Sequence, residues 1–276
     1  MENIDEFEGQ IEELIGKKEY DKALEILTNT IANSTDPALL TLCFIEKAKI
    51  MGLLKDPHRM EINTYNAVNI FYDIKDMRYK GKMALYIGGL FLFLGDTYNA
   101  LKFYKEAMEL LPKDSYDYIR ALYNTGEVEK RAGELDSAEE KFSSCYSTAR
   151  LTGRGQIEVY AAENLAEIYV VKGDKEEAKL WLEKARESAK KSEDKRIRYI
   201  VELAFAIKDE DETKIEEIST LMKNLGMEHE IADVYYYYAD FASSAMREKL
   251  LKEAALIFSE LGDGRMQTLT IRKIEE

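Results

Sequence analysis

Gly88-Gly89-Leu90-Phe91-Leu92-Phe93-Leu94-Gly95-Asp96-Thr97-Tyr98-Asn99-Ala100-Leu101-Lys102-Phe103-Tyr104-Lys105-Glu106-Ala107 is the stretch from which the fold can be read. Five of its residues, Gly88, Gly95, Ala100, Tyr104 and Ala107, are separated by steps of seven, five, four and three. The same steps return in Gly126, Gly133, Ala138, Phe142 and Cys145. They return again in Ala166, Gly173, Ala178, Leu182 and Ala185. Copies 38 and 40 residues apart mark an array of helix pairs. Small residues at a crossing let two helix axes approach to about 8–10 Å. The glycine between them tolerates the left-handed backbone at a helix end.

The rest of the chain keeps the helical period, with turn signals every 15 to 20 residues. Helices are expected over Ile4–Ile15, Tyr20–Ala32, Pro37–Met51, Pro57–Asp73, Lys80–Leu94, Thr97–Leu111, Ser115–Ala132 and Leu135–Thr152. They continue over Gln156–Lys172, Lys175–Lys191, Asp194–Ile207, Glu212–Leu225, Glu228–Ala242, Ser244–Leu261 and Arg265–Ile274. Gly16, Gly95, Gly133 and Gly173 are expected in turns, and Asp56, Asp96 and Asp174 as helix caps. The expected fold is all-α: a right-handed superhelical solenoid of about seven helix–turn–helix units closed by a terminal helix. No domain boundary is legible, so residues 1–276 read as one domain.

These residues resemble the tetratricopeptide repeat family, in its long variety of about 40 residues. The match is strong over 80–192, where Gly88, Gly126 and Ala166 take the first small site and Ala100, Ala138 and Ala178 the second. It is fair in the first unit, where Ile11, Lys18, Ala23, Leu27 and Thr30 keep the steps. It is weak over 38–74 and 196–262, and 265–276 reads as a cap. Glu129 departs from the pattern where other copies have Phe91 and Tyr169.

The resemblance implies a concave face lined by the first helix of each pair, where an extended peptide or a partner helix lies. The set implied here begins with Leu85, Tyr86, Gly89 and Phe93. It continues with Arg120, Tyr123, Asn124, Glu127 and Arg131, then Tyr160, Glu163, Asn164 and Glu167. Asn124 and Asn164 each stand two residues before the small crossing residue. An amide there donates and accepts at once, as an extended backbone requires. The other reading makes both ordinary polar residues on a solvated groove. Leu85 and Gly89, like Glu163 and Glu167, cannot clamp a carboxylate. The mixed charge suggests a partner segment of basic or neutral polar character.

Two apolar features have structural readings of their own. Met83–Leu94 is apolar on all sides, as a buried helix is, and could instead offer a pocket to a partner's side chain. Tyr235-Tyr236-Tyr237-Tyr238 covers every face of a helix, so most of the four are expected in packing, with Trp181.

Composition excludes several functions. With 39 basic and 53 acidic residues, a net charge of -14 argues against nucleic acid and anionic lipid. No apolar run is long enough for a membrane span, and Met1–Gln10 does not resemble a secretory signal. Cys43 and Cys145 read as reduced core residues, which points to the cytoplasm. His58 and His229 lack ligand spacing for a metal, and Gly153-Arg154-Gly155 lacks the strand a nucleotide loop needs. No cofactor and no enzymatic role are expected. The leading expectation is a protein- or peptide-binding module. The alternative is a self-associating scaffold subunit, a homodimer, using apolar and Tyr-rich surfaces.

Overall fold

The computed structural model describes residues 4–192 and 194–275. Met1–Asn3, Glu193 and Glu276 lie outside the described residues, including those parts of the expected N-terminal, turn and cap segments. Among the described residues the chain is all α, with fifteen helices, one 3₁₀ turn and no strand. It divides into two compact units, Met1–Ala132 and Gly133–Glu276.

The first unit contains α1 (Ile4–Gly16), α2 (Tyr20–Asn33), α3 (Pro37–Leu53), α4 (Pro57–Phe71), α5 (Met77–Phe93), α6 (Thr97–Leu110) and α7 (Tyr116–Ala132). Helices pair as α1 with α2, α3 with α4 and α5 with α6. The first helices of successive pairs also touch, α1 to α3 to α5 to α7. The second unit contains α8 (Leu135–Leu151), α9 (Gly155–Val171), α10 (Lys175–Ala189), α11 (Lys195–Lys208) and α12 (Glu212–Lys223). It ends with α13 (Glu228–Tyr238), a 3₁₀ turn (Ala239–Phe241), α14 (Ser244–Glu260) and α15 (Gly264–Glu275). There α9 pairs with α10 and α11 with α12, and α13 packs on both α9 and α11.

Aspartates start the helices. Asp36, Asp56, Asp76 and Asp96 each accept a backbone N–H of the turn that follows, at 2.9–3.0 Å for the shortest contact. Asp174, Asp194 and Asp211 do the same in the second unit, at 2.9–3.1 Å. Each satisfies an N–H that the first helical turn leaves without a partner. The Asp76 cap explains why α5 begins at Met77, three residues before the expected Lys80. The expected helix Glu228–Ala242 ends at Tyr238, and a 3₁₀ turn takes its last residues.

The crossing predicted between paired helices is present. A Cβ placed on Gly88 would come within 2.6 Å of the Tyr104 ring and 3.2 Å of the Ala100 carbonyl oxygen. Any side chain there would force α5 and α6 apart. Around this contact the Phe91 ring stacks on Phe103 at 5.7 Å, and Phe103 meets Phe71 edge-on at 5.5 Å, tying α4, α5 and α6 together.

The turn has one backbone geometry whichever residue occupies it. Gly95, Gly133 and Gly173 have φ of +80°, +85° and +79°. Lys18, Lys55 and Glu210 have φ of 59°, 58° and 52° and are the positive-φ residues other than glycine among the described residues. Gly16, expected in the turn, instead closes α1, and Lys18 takes the left-handed position. Read backward and forward from these turns, the seven, five, four, three spacing reappears. It gives Ala48, Lys55, Met60, Thr64 and Ala67, and also Leu203, Glu210, Ile215, Ser219 and Met222. Apart from the turn residue, every member of both sets is buried. The pairs α3–α4 and α11–α12 therefore keep the repeat spacing with the turn glycine replaced; the first retains small residues at Ala48 and Ala67, and the second has Leu203, Ile215 and Met222 at the small sites.

Two substitutions separate crowding from backbone strain. Gly88→Ala is expected to cost about 1–3 kcal/mol through its clash with Tyr104. Lys55→Gly, which relieves a left-handed backbone, is expected to add about 0.5 kcal/mol after the entropy of glycine in the unfolded chain is counted. Chemical denaturation of both variants reads these values, and a destabilised Lys55→Gly protein would contradict the turn assignment.

Candidate functional site

The first unit holds a groove of about 580 Å³ between α1, α3, α5 and α7. Successive first helices present one register to it. Glu46, Tyr86 and Asn124 each stand two residues before the crossing residue of their pair, at Ala48, Gly88 and Gly126, and all three line the groove. The expected Leu85, Gly89, Phe93 and Arg120 line it too. Leu53 and Phe93, at the C-terminal ends of α3 and α5, are 55% and 69% exposed and form its apolar lip.

The polar groups are held by their neighbours. The Lys49 ammonium sits 4.5 Å from the centre of the Tyr86 ring, and the Arg120 guanidinium 5.7 Å from it. Arg120 also pairs with Asp117 on its own helix at 3.4 Å. Burial and the Glu8 carboxylate push the Tyr86 hydroxyl well above its ordinary pKa, so it stays protonated and can donate. Asn124 stands beside the Tyr104 hydroxyl, which lies 4.0 Å from where a Cβ on Gly89 would be. Because Gly89 carries no side chain, nothing but that hydroxyl comes within 4.0 Å of its place.

Two acids beside Tyr86 are buried. Glu46 has no exposed side-chain surface, and its Oε1 takes a hydrogen bond from Lys49 at 2.6 Å. Its Oε2 has no partner. Glu8 on α1 is likewise buried, with Oε2 bonded to Lys82 and Oε1 without a partner. Lys82 also reaches Asp5 at 3.0 Å, and Arg78 reaches Asp5 at 2.9 Å, so α1 is pinned to α5 by charge.

Other expected residues lie elsewhere. Tyr123, Glu127 and Arg131 form a network along α7, outside the groove lining. The Tyr123 hydroxyl donates to Glu127 at 3.3 Å, and Lys130 and Arg131 approach the same carboxylate at 3.6 and 3.9 Å. In the second unit Tyr160, Glu163, Asn164 and Glu167 share α9, but α13 packs over that helix. Glu163, Asn164 and Glu167 are buried, Asn164 to 2% exposure. The Asn164 amide donates to the Tyr160 carbonyl at 3.0 Å. The Tyr238 hydroxyl lies 3.5 Å from the Glu163 carbonyl, and burial together with Glu163 and Glu167 holds its pKa well up. Glu163, Asn164 and Glu167 are thus covered in this structure, and Tyr160 is half-buried.

Met83–Leu94 divides between the core and the groove lining. Met83, Ala84, Ile87 and Phe91 are core, while Leu85, Tyr86, Gly89, Leu90 and Phe93 line the groove. Tyr235, Tyr237 and Tyr238 are buried, as the packing reading expects, and Tyr235 shares a 2.7 Å hydrogen bond with Ser219. Sequence reasoning missed Glu12 and Ile15, from the fairly matching first pair, and Glu46, Lys49, Leu53 and Met60, from the weakly matching second. The register of Glu46 relative to Ala48 was the available signal. Among the described residues no helix is long and apolar enough to cross a membrane, and no group of three metal-ligating side chains is gathered.

Burial pushes the Glu46 carboxyl above its ordinary pKa; Lys49 pulls it back, and Glu8 and Glu12 add to the rise. The folded chain therefore holds this proton more tightly than the unfolded chain. The stability this gives is fully present below the unfolded carboxylate value of 4.5 and is lost as pH rises through the folded value. Glu46→Gln keeps the shape and removes the charge. It is expected to exceed wild type by on the order of 1 kcal/mol at about pH 8, with the difference vanishing near pH 4. Urea unfolding across that range reads the difference, and a variant weaker than wild type at the alkaline end would contradict it.

Solved structures share this architecture. The apo form of RapI is 14% identical, with a TM-score of 0.74 over 99% of this chain and 98% of its own. A Rap protein complexed with competence and sporulation factor is 17% identical, with a TM-score of 0.65 over 98% of this chain and 72% of its own. Aspartyl phosphate phosphatase F from Bacillus subtilis is 14% identical, with a TM-score of 0.68 over 96% of this chain and 67% of its own. No family model and no curated protein matches the chain. Identities this low carry fold and not function. The chain has the tetratricopeptide-type fold of paired helices that its spaced small residues implied.

Proposed function

We propose that the chain is a non-enzymatic binding protein of the cytoplasm that holds an extended peptide or a helix of a partner on its concave face. The observation that carries this reading is the first-unit groove. It combines exposed apolar side chains, Leu53 and Phe93, with a few convergent polar groups, Tyr86, Arg120 and Asn124. That is the composition of a site that takes an apolar anchor and orients a backbone beside it. A neighbour of the same fold, the Rap protein complexed with competence and sporulation factor, supports a peptide-type ligand. In this reading residues 1–276 serve as one repeat domain. Ligand contact rests on Tyr86, Arg120 and Asn124, and Tyr160, Glu163, Asn164 and Glu167 serve the packing of α9.

Self-association is the rival. The burial of Tyr235, Tyr237 and Tyr238 takes away most of the Tyr-rich surface it would use. Leu53 and Phe93 remain available to either reading.

Gly89→Arg fills the groove at a position that has room for a side chain. Affinity capture from the source lysate with the wild-type and Gly89→Arg proteins, both of native helicity, should recover a partner with the first and lose it with the second. Equal recovery with both proteins would move the site away from the groove. A wild-type dimer in sedimentation that the substitution abolishes would support self-association instead.

A further inference from the structure

The groove has a chemical polarity that narrows its ligand. On one wall Glu46 is wholly buried, with one carboxylate oxygen on Lys49 and the other without a partner. Behind it Glu8 has a second buried oxygen without a partner, and Glu12 lines the groove on the same helix as Glu8. The nearby cations are already engaged. Lys82 is bonded to Glu8 and Asp5, and Lys49 to Glu46. A buried acceptor left unsatisfied is costly, and a donor that arrives with a ligand removes that cost. A charged donor removes more of it than a neutral one, because the carboxylate lies in a medium of low polarity. A ligand carboxylate against Glu12 and Glu46 would meet like charge there, with Lys49 already held by Glu46 and Arg120 by Asp117 at 3.4 Å.

The lip of the groove asks for something different. Leu53 and Phe93 keep much of their surface in water, and Met60 and Leu90 line the groove with them. A large apolar side chain laid there buries both surfaces at about 25 cal/mol per Å².

On the peptide-binding reading above, we propose that the groove takes a partner segment in which a lysine or arginine stands beside a large apolar residue. The cationic group meets Glu46 and the apolar side chain packs on Phe93 and Leu53. Glu46 is then the residue that sets specificity. The instability it brings to the free protein is what the bound cation relieves.

A displayed library of random 12-residue peptides, panned on the whole protein, tests this. Enriched peptides are measured by fluorescence anisotropy against wild type, Glu46→Gln and two blocking variants, Gly89→Arg and Phe93→Asp. Phe93 is an exposed side chain, so its substitution keeps the fold if Gly89→Arg does not. The expected result is that peptides lost with the blocking variants carry Lys or Arg within two residues of a large apolar one. Glu46→Gln should weaken them at least tenfold, and citrulline in place of their arginine should do the same on wild type without adding to the effect of Glu46→Gln. Groove-dependent peptides that are acidic or uncharged, or that bind Glu46→Gln as well as wild type, would overturn the charge assignment and leave the groove reading intact. If no peptide depends on Gly89 or Phe93, both fall.

Discussion

Two helices of a pair can bury their facing sides only if the chain reverses within a few residues and the backbones come close where they cross. Here the reversal uses a single left-handed residue, and the close approach uses a position without a side chain. Gly88 lies against the Tyr104 ring so closely that a methyl group would not fit. Everything that makes the groove hangs on that contact. It fixes the angle of α5, which carries Leu85, Tyr86, Gly89 and Phe93. It also brings the Tyr104 hydroxyl to 4.0 Å from the place of a Gly89 Cβ. The Asp caps then set where each helix begins, so the register of one pair repeats in the next.

Stability and function pull in different directions around α3. A core built only for packing would not seal Glu46 and Glu8 in with one oxygen each left unsatisfied. Evolved sites tolerate such costs where binding uses them. Lys49 and Lys82 neutralise most of the charge and hold α1, α3 and α5 in place, so the acids persist without opening the unit. The second unit solves a similar problem by covering. Glu163 and Glu167 lie under α13, with Tyr238 against them. The same register of first helices thus gives an open groove in one unit and a packed polar interior in the other.

The repeat spacing was plain in the sequence because Gly88, Gly126 and their partners are small for a reason that only close packing supplies. The helix boundaries followed from Gly95, Gly133, Gly173 and the aspartates. Less legible were the turns at Lys55 and Glu210, where a long polar residue adopts the left-handed backbone usually left to glycine. Without glycine at Lys55, the pair from α3 and α4 matched the repeat only weakly, and Glu46 and Lys49 went unseen. Asn164 illustrates the other gap. Its register was read correctly, but its burial depends on α13, some 70 residues further on, and no local pattern encodes which distant helix lands there. The charged network on α7 was partly legible, since Tyr123, Glu127 and Arg131 stand one turn apart.

The central claim is that ligand contact occurs in the first-unit groove. Site-specific photocrosslinking in the source cells tests it most directly, with a benzophenone amino acid placed in turn at Phe93, Tyr98 and Leu151. All three side chains are well exposed, at 69%, 79% and 87%, but only Phe93 lines the groove. The account predicts a discrete crosslinked partner from position 93 and none from 98 or 151. Crosslinks from 98 or 151 with silence at 93 would contradict it.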